Sequence, residues 1–149
     1  MDVVRILAHD PEDLAGTDIS EPALDVLRRS KVREIHVLGR RGPAQAAYTP
    51  HEIHELIKLP QADVVVRSDE GELDSLSAVH LEENPDLNVS KNVEAVRQQV
   101  ALGEGEKPKK IRLRLLTSPV EVLGDDGRVT GVKVEKNELE TLKQQPYRI

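Results

Sequence analysis

Apolar residues at positions 3, 4, 6, 7 and 8 follow helical rather than alternating spacing, so the chain opens on a stretch read as the tail of a helix. A polar loop follows, and Ser20 ahead of Glu21 and Pro22 marks a helix start, with Ala23, Leu24 and Leu27 as its stripe and its end near Ser30. From Glu34 to Gly39 the chain alternates and is rich in β-branched residues, which predicts a buried strand. Thr49-Pro50-His51-Glu52 spells a capping box with proline in the first turn; the helix it opens carries Ile53, Leu56 and Ile57 inward and closes at Pro60. Ala62 to Val66 is a second strand. Strand, helix and strand thus fit in about 33 residues, the size of a βαβ unit, and predict parallel pairing. Two helical patterns come next, Leu73, Leu76 and His80 in the first and Val89, Val93, Val96 and Val100 in the second. Ile111–Thr117, Val120–Leu123 and Val129–Glu135 then read as three strands of an antiparallel meander, with a turn at residues 124–127. The expected fold class is α/β, a partial Rossmann-like plan lacking its first strand, with the meander at its C-terminal end. One domain over residues 1–140 and a tail over 141–149 are expected.

At 149 residues with 38% hydrophobic side chains, the chain is long enough for one core. Its 21 basic and 27 acidic residues give a net charge of −6, which argues against a polyanionic partner for the molecule as a whole. Without cysteine it has no thiolate nucleophile, disulfide or cysteine-held metal, and a reducing compartment fits. No apolar run approaches membrane-spanning length, so a cytoplasmic chain without a membrane contact is expected. With Tyr48 and Tyr147 as its only aromatics, it cannot build a base-stacking platform, and no nucleic-acid partner is expected.

The candidate chemistry lies directly after the first complete strand. In a nucleotide-binding βαβ unit the residues at the end of the second strand read the adenosine ribose: an acid selects a free 2′-hydroxyl, and arginine accepts a 2′-phosphate. Here the strand runs into Gly39-Arg40-Arg41-Gly42 with no carboxylate beside it. Two guanidinium groups at a glycine turn can grip a phosphate in bidentate fashion, which favours NADP over NAD. The pair alone does not separate that role from ordinary solvated charge. His51-Glu52-Ile53-His54-Glu55 superficially suggests a zinc-protease helix, but its histidines are three apart where that chemistry needs four, so no metal site is expected. Lys107, Lys109, Lys110, Arg112 and Arg114 form one basic cluster, with Arg112 and Arg114 on the strand face opposite Ile111, Leu113 and Leu115. It reads as a solvated face or as a surface for an acidic ferredoxin or another domain. No Gly-x-Ser-x-Gly element supports a hydrolase.

The runs DVVRILA at 2–8, VLGRRGPAQAAYTPHEIHEL at 37–56 and SPVEVLGDDGRVTGVKVEKNEL at 118–139 resemble the NADP domain of adrenodoxin reductase and the FAD-containing ferredoxin-NADP reductases. The resemblance covers nearly the whole chain. It implies that Arg40 and Arg41 hold the 2′-phosphate, that Glu52 contacts the dinucleotide, and that Glu55, the candidate catalytic residue, stands near flavin and nicotinamide. The capping role of Glu52 is compatible with such a contact, and an exposed helix carboxylate is the other reading of Glu55. In that family a Gly-x-Gly-Asn-Val-Ala phosphate loop precedes the first helix and FAD-binding portions flank the domain; neither is among these 149 residues. Tyr48 and Val4 depart mildly from the family's usual phenylalanine and alanine. The function implied is hydride exchange between NADPH and FAD followed by electron delivery to a ferredoxin-type iron-sulfur protein, with this chain inactive alone and open to a complementary chain that supplies the first strand. The alternative is a non-catalytic remnant or interaction module that keeps only the scaffold.

Overall fold

A computed structural model describes residues 1–140; the expected tail, 141–149, lies outside the described residues. Three helices come first, α1 (Asp2–Ala8), α2 (Pro11–Leu14) and α3 (Glu21–Arg28). They are followed by β1 (Glu34–Leu38), a 3-10 turn (Pro43–Gln45), α4 (Pro50–Ile57) and β2 (Ala62–Val66). Then come α5 (Ser68–Gly71), α6 (Ser75–Glu83), α7 (Leu87–Leu102), β3 (Lys109–Arg114), β4 (Thr117–Asp125) and β5 (Arg128–Lys136). The α/β class and the Rossmann-like parallel sheet agree with the sequence pattern.

The meander needs correction. β3 does not pair with β4; it lies between β1 and β2 and runs parallel to both, leaving β4 and β5 as a separate antiparallel hairpin. The chain leaves the sheet at Leu116, which takes a φ of 52°, a left-handed backbone that turns the strand sharply before Thr117. The hairpin itself turns where expected, at Asp126 and Gly127, both with positive φ, as the favoured two-residue hairpin turn requires.

Because side chains alternate along a strand, the register sets Ile35, Ile111 and Val64 in one row and Val37, Leu113 and Val66 in the next. This apolar face meets Ala8 of α1, Ile53 and Leu56 of α4, and Ala95 and Val96 of α7, and together they form the core. β1 lacks a strand partner on its outer side among the described residues, yet Ile35 is buried and Val37 packs on the core, as the buried strand read from the sequence requires. An open edge bares backbone, whereas side chains project to the faces, and one face here is covered by α1. The first of the two later helical patterns is also displaced. Asp74 caps α6 and leaves Leu73 outside it, and Leu76 is exposed while Ser77 is the residue buried. The second is as expected, with Val93 and Val96 buried and Val100 packed on the core.

The opposite face of the sheet is charged and internally paired. Lys110 meets Asp63, Arg112 meets Glu34 and Glu104, and Arg114 meets Glu70. Lys107 and Lys109 donate to main-chain carbonyls, Lys109 to those of Leu7 and His9 at the end of α1, where a cation is favoured. Four of the five cations of the basic cluster are therefore ion-paired within the chain, and Lys109 is held by main-chain carbonyls. Burial pushes the Asp63 carboxyl up, but hydrogen bonds from the Lys110 ammonium and the Lys107 amide outweigh it and hold the group below its ordinary value. A depressed folded-state pKa gives stability that is present above the unfolded value and is lost as pH falls through the folded one. The melting temperature should thus fall in acid below about pH 4, and Asp63→Asn should lower it at neutral pH and flatten that acid limb. Parallel acid limbs for wild type and variant in a pH series of thermal melts would contradict this assignment.

Candidate functional site

Parallel strands leave a crevice beyond their carboxyl ends, and open α/β sheets bind ligands there. In this chain Leu38, Gly39, Arg40 and Arg41 leave β1, Leu113 and Leu115 mark the end of β3, and Gln45 to Tyr48 pass in front on the way to α4. Together with Met1 and Glu52 they enclose a cavity of about 370 Å³, within the range of small-molecule sites.

The arginine loop is held by its main chain. Gly39 N donates to Arg114 O at 2.8 Å, Thr117 N to Gly39 O at 2.9 Å and Leu116 N to Arg41 O at 3.1 Å. Asn137, just past β5, donates its side-chain amide to Arg40 O at 2.7 Å. The loop is thus laced to the β3–β4 junction while both arginine side chains stay exposed. Neither guanidinium has an ion-pair partner among the described residues, unlike Lys107, Lys110, Arg112 and Arg114 of the basic cluster. A Cβ at Gly39 would come within 3.1 Å of a Leu115 methyl, so glycine permits the close approach of loop and strand.

Glu52 enters through the predicted capping box. Its Oε2 accepts from Thr49 N at 2.7 Å and from the Thr49 hydroxyl at 2.9 Å, and Thr49 Oγ1 accepts from Glu52 N. The Thr49 amide, then the Thr49 hydroxyl, hold the carboxyl below the usual glutamate range, so it is an anion at neutral pH. Tyr48 is its neighbour on the wall; burial pushes its phenol up to about 12, keeping it neutral.

Arg40, Arg41 and Glu52 are therefore brought together on one cavity. Glu55 is not: it does not line the cavity, and its carboxylate is bonded to Arg5 of α1 with His51 at 3.7 Å. Among the described residues no group of three or more histidine, aspartate or glutamate side chains converges on a metal position. No helix among them is long and apolar enough to cross a membrane.

Several residues that shape the site carry no local signal. Glu70, in the polar run SDEGE, is completely buried and accepts from Arg114 Nε and Nη2 and from Leu115 N, fixing the end of β3 against the cavity floor. Leu116 and Asn137 act through partners far along the chain. Gln45, in the loop after the arginines, lines the cavity as well.

No protein-family model matches the chain. It is 36% identical over 144 residues to NADPH-ferredoxin reductase FprA of Mycobacterium leprae, an alignment covering 95% of this chain and 30% of that protein. Against the mitochondrial NADPH:adrenodoxin oxidoreductase of Rattus norvegicus it is 53% identical over 60 residues, 40% of this chain and 12% of that protein. The structure of Mycobacterium tuberculosis FprA in complex with NADPH superposes with a TM-score of 0.74 at 30% identity, covering 93% of this chain and 35% of that one. The chain spans about a third of the length of the FprA relatives, and its match to the adrenodoxin oxidoreductase covers 12% of that protein. Over nearly all of its own length it is related to a segment of the adrenodoxin reductase and ferredoxin-NADP reductase family and has the NADP-binding domain architecture of that family.

Proposed function

We propose that residues 1–140 form the NADP(H)-binding unit of a FAD-dependent ferredoxin- or adrenodoxin-type NADP reductase, with Arg40 and Arg41 on the 2′-phosphate and Glu52 on the bound dinucleotide. The observation that supports this most is the cavity at the carboxyl ends of β1 and β3, where two exposed guanidinium groups, unpaired among the described residues, stand on a loop fixed by four hydrogen bonds to its carbonyls and amide. Such a loop holds the cations in place without consuming their charge, which is what recognition of a phosphate dianion needs. The anionic Glu52 across the cavity suits hydroxyl or amide donors and discourages a second phosphate near α4.

The resident flavin belongs to the remainder of such a reductase, and hydride exchange takes place only with that remainder present. These residues bind and orient the nicotinamide dinucleotide, and ferredoxin-type proteins receive the electrons downstream. Glu55 acts with Arg5 at the side of the site, and its catalytic role rests on resemblance alone. Isothermal titration of the purified chain should show NADP binding more tightly than NAD. Equal affinities, or none for either, would sink the reading.

A further inference from the structure

The carbonyls of the loop that carries the two exposed arginines are not all held alike. Those of Gly39 and Arg41 accept from main-chain amides, of Thr117 and Leu116 respectively, at the turn between β3 and β4. The Arg40 carbonyl between them accepts from a side chain instead, the Asn137 amide nitrogen at 2.7 Å. A carbonyl oxygen only accepts, so Asn137 must face it with its NH2 group. The second hydrogen of that group goes to the Ser118 hydroxyl oxygen at 2.8 Å. Asn137 is itself anchored, because its main-chain amide donates to Leu116 O at 2.7 Å. Two residues further on, a Leu139 methyl lies 3.6 Å from where a Cβ on Gly42 would stand. The segment leaving β5 thus meets the loop on both sides of Arg41.

The Arg40 carbonyl belongs to the peptide unit that joins the two arginines. That unit is planar and trans, so the dihedral angles flanking it, ψ of Arg40 and φ of Arg41, decide how the two side chains leave the loop relative to one another. Two guanidinium forks that converge on one phosphate need that relation held, since a misplaced donor loses much of its worth. The main-chain bonds fix Gly39 and Arg41 at the ends of this stretch, and Asn137 fixes the unit between them.

We propose that Asn137 is a positioning residue for recognition of the 2′-phosphate: by holding the Arg40–Arg41 peptide it sets the preference of the site for NADP over NAD. This rests on the NADP reading above. Asn137 acts through the arginines and not on the ligand. Linkage makes the effect reciprocal: if fixing this peptide favours NADP, bound NADP tightens the bonds around Asn137, and NAD, which has no 2′-phosphate, does so less.

The test is titration of NADP and of NAD into wild type, Asn137→Ala, Lys136→Ala and Arg41→Ala. Asn137→Ala should weaken NADP about fivefold, the worth of one hydrogen bond, and leave NAD unchanged. Lys136 pairs with Asp69 one residue away, so Lys136→Ala loosens the same end of β5 while keeping every bond of Asn137, and its ratio of NADP to NAD affinity should stay that of the wild type. In wild-type protein, hydrogen exchange at the Leu116 and Asn137 amides should slow more at saturating NADP than at saturating NAD, which keeps the proposal testable should Asn137→Ala fail to fold. A wild-type ratio in folded Asn137→Ala, while Arg41→Ala lowers it, would overturn the proposal and leave the NADP reading intact. An equal loss of the ratio in Lys136→Ala, or equal protection by both dinucleotides, would overturn it in the same way. Equal affinity of the wild type for NADP and NAD would overturn both.

Discussion

Arg114→Met should destabilise the protein by about 3 to 4 kcal/mol, the lower part of the range for removing one partner of a buried ion pair. Glu70 is fully buried, and Arg114 supplies three of the hydrogen bonds to its carboxylate; Leu115 N is left to supply one. The Arg114 side chain is 26% exposed, which tempers the figure relative to a fully desolvated pair. For a domain of this size that loss corresponds to a drop of roughly 10 °C in melting temperature. Pairing Arg114→Met with Glu70→Gln should recover part of the loss, because the burial of an uncompensated charge is then avoided. Thermal melts of the two single variants and the double at neutral pH test this, and Arg114→Met as stable as the double would refute it.

Arg41→Ala should lower NADP affinity by about 1.5 to 3 kcal/mol, or roughly 10- to 150-fold, while leaving NAD affinity unchanged. The basis is the contrast among the chain's cations. Those on the charged face of the sheet have protein partners, whereas Arg40 and Arg41 are exposed and unpaired among the described residues, so the charge-assisted bonds they can make belong to a ligand. Being exposed, they are screened, and the preference for NADP should narrow as salt rises. Arg41→Lys should restore part of the preference, because an ammonium keeps the charge but lacks the planar fork that matches a phosphate. Loss of NAD affinity in step with NADP would instead mean that Arg41 shapes the loop rather than reads the phosphate.

What could be read in advance was what local spacing encodes. The capping box of Thr49 and Glu52 is a four-residue signal and occurs as written, and the alternating runs of β1 and β2 form strands within a residue of their expected limits. The alternation of Ile111, Leu113 and Leu115 correctly marks a one-sided strand but carries no information on its neighbours. A strand with one apolar face serves in a parallel sheet or an antiparallel one, and proximity in sequence to β4 favoured the wrong choice. Within the site, adjacent arginines after a strand are visible as a motif. The bond from Asn137 to Arg40, by contrast, spans 97 positions. Glu70 is the sharpest case: a glutamate in an acidic, glycine-containing run looks solvated until β3 brings Arg114 over it.

The most direct measurement of the central claim is a backbone amide map of the isotopically labelled chain titrated with NADP and, separately, with NAD. NADP should move the signals of Gly39, Arg40, Arg41, Tyr48 and Glu52, with the arginine-loop shifts much weaker for NAD at equal concentration. Shifts of equal size for both dinucleotides, or shifts centred away from the carboxyl ends of β1 and β3, would contradict it.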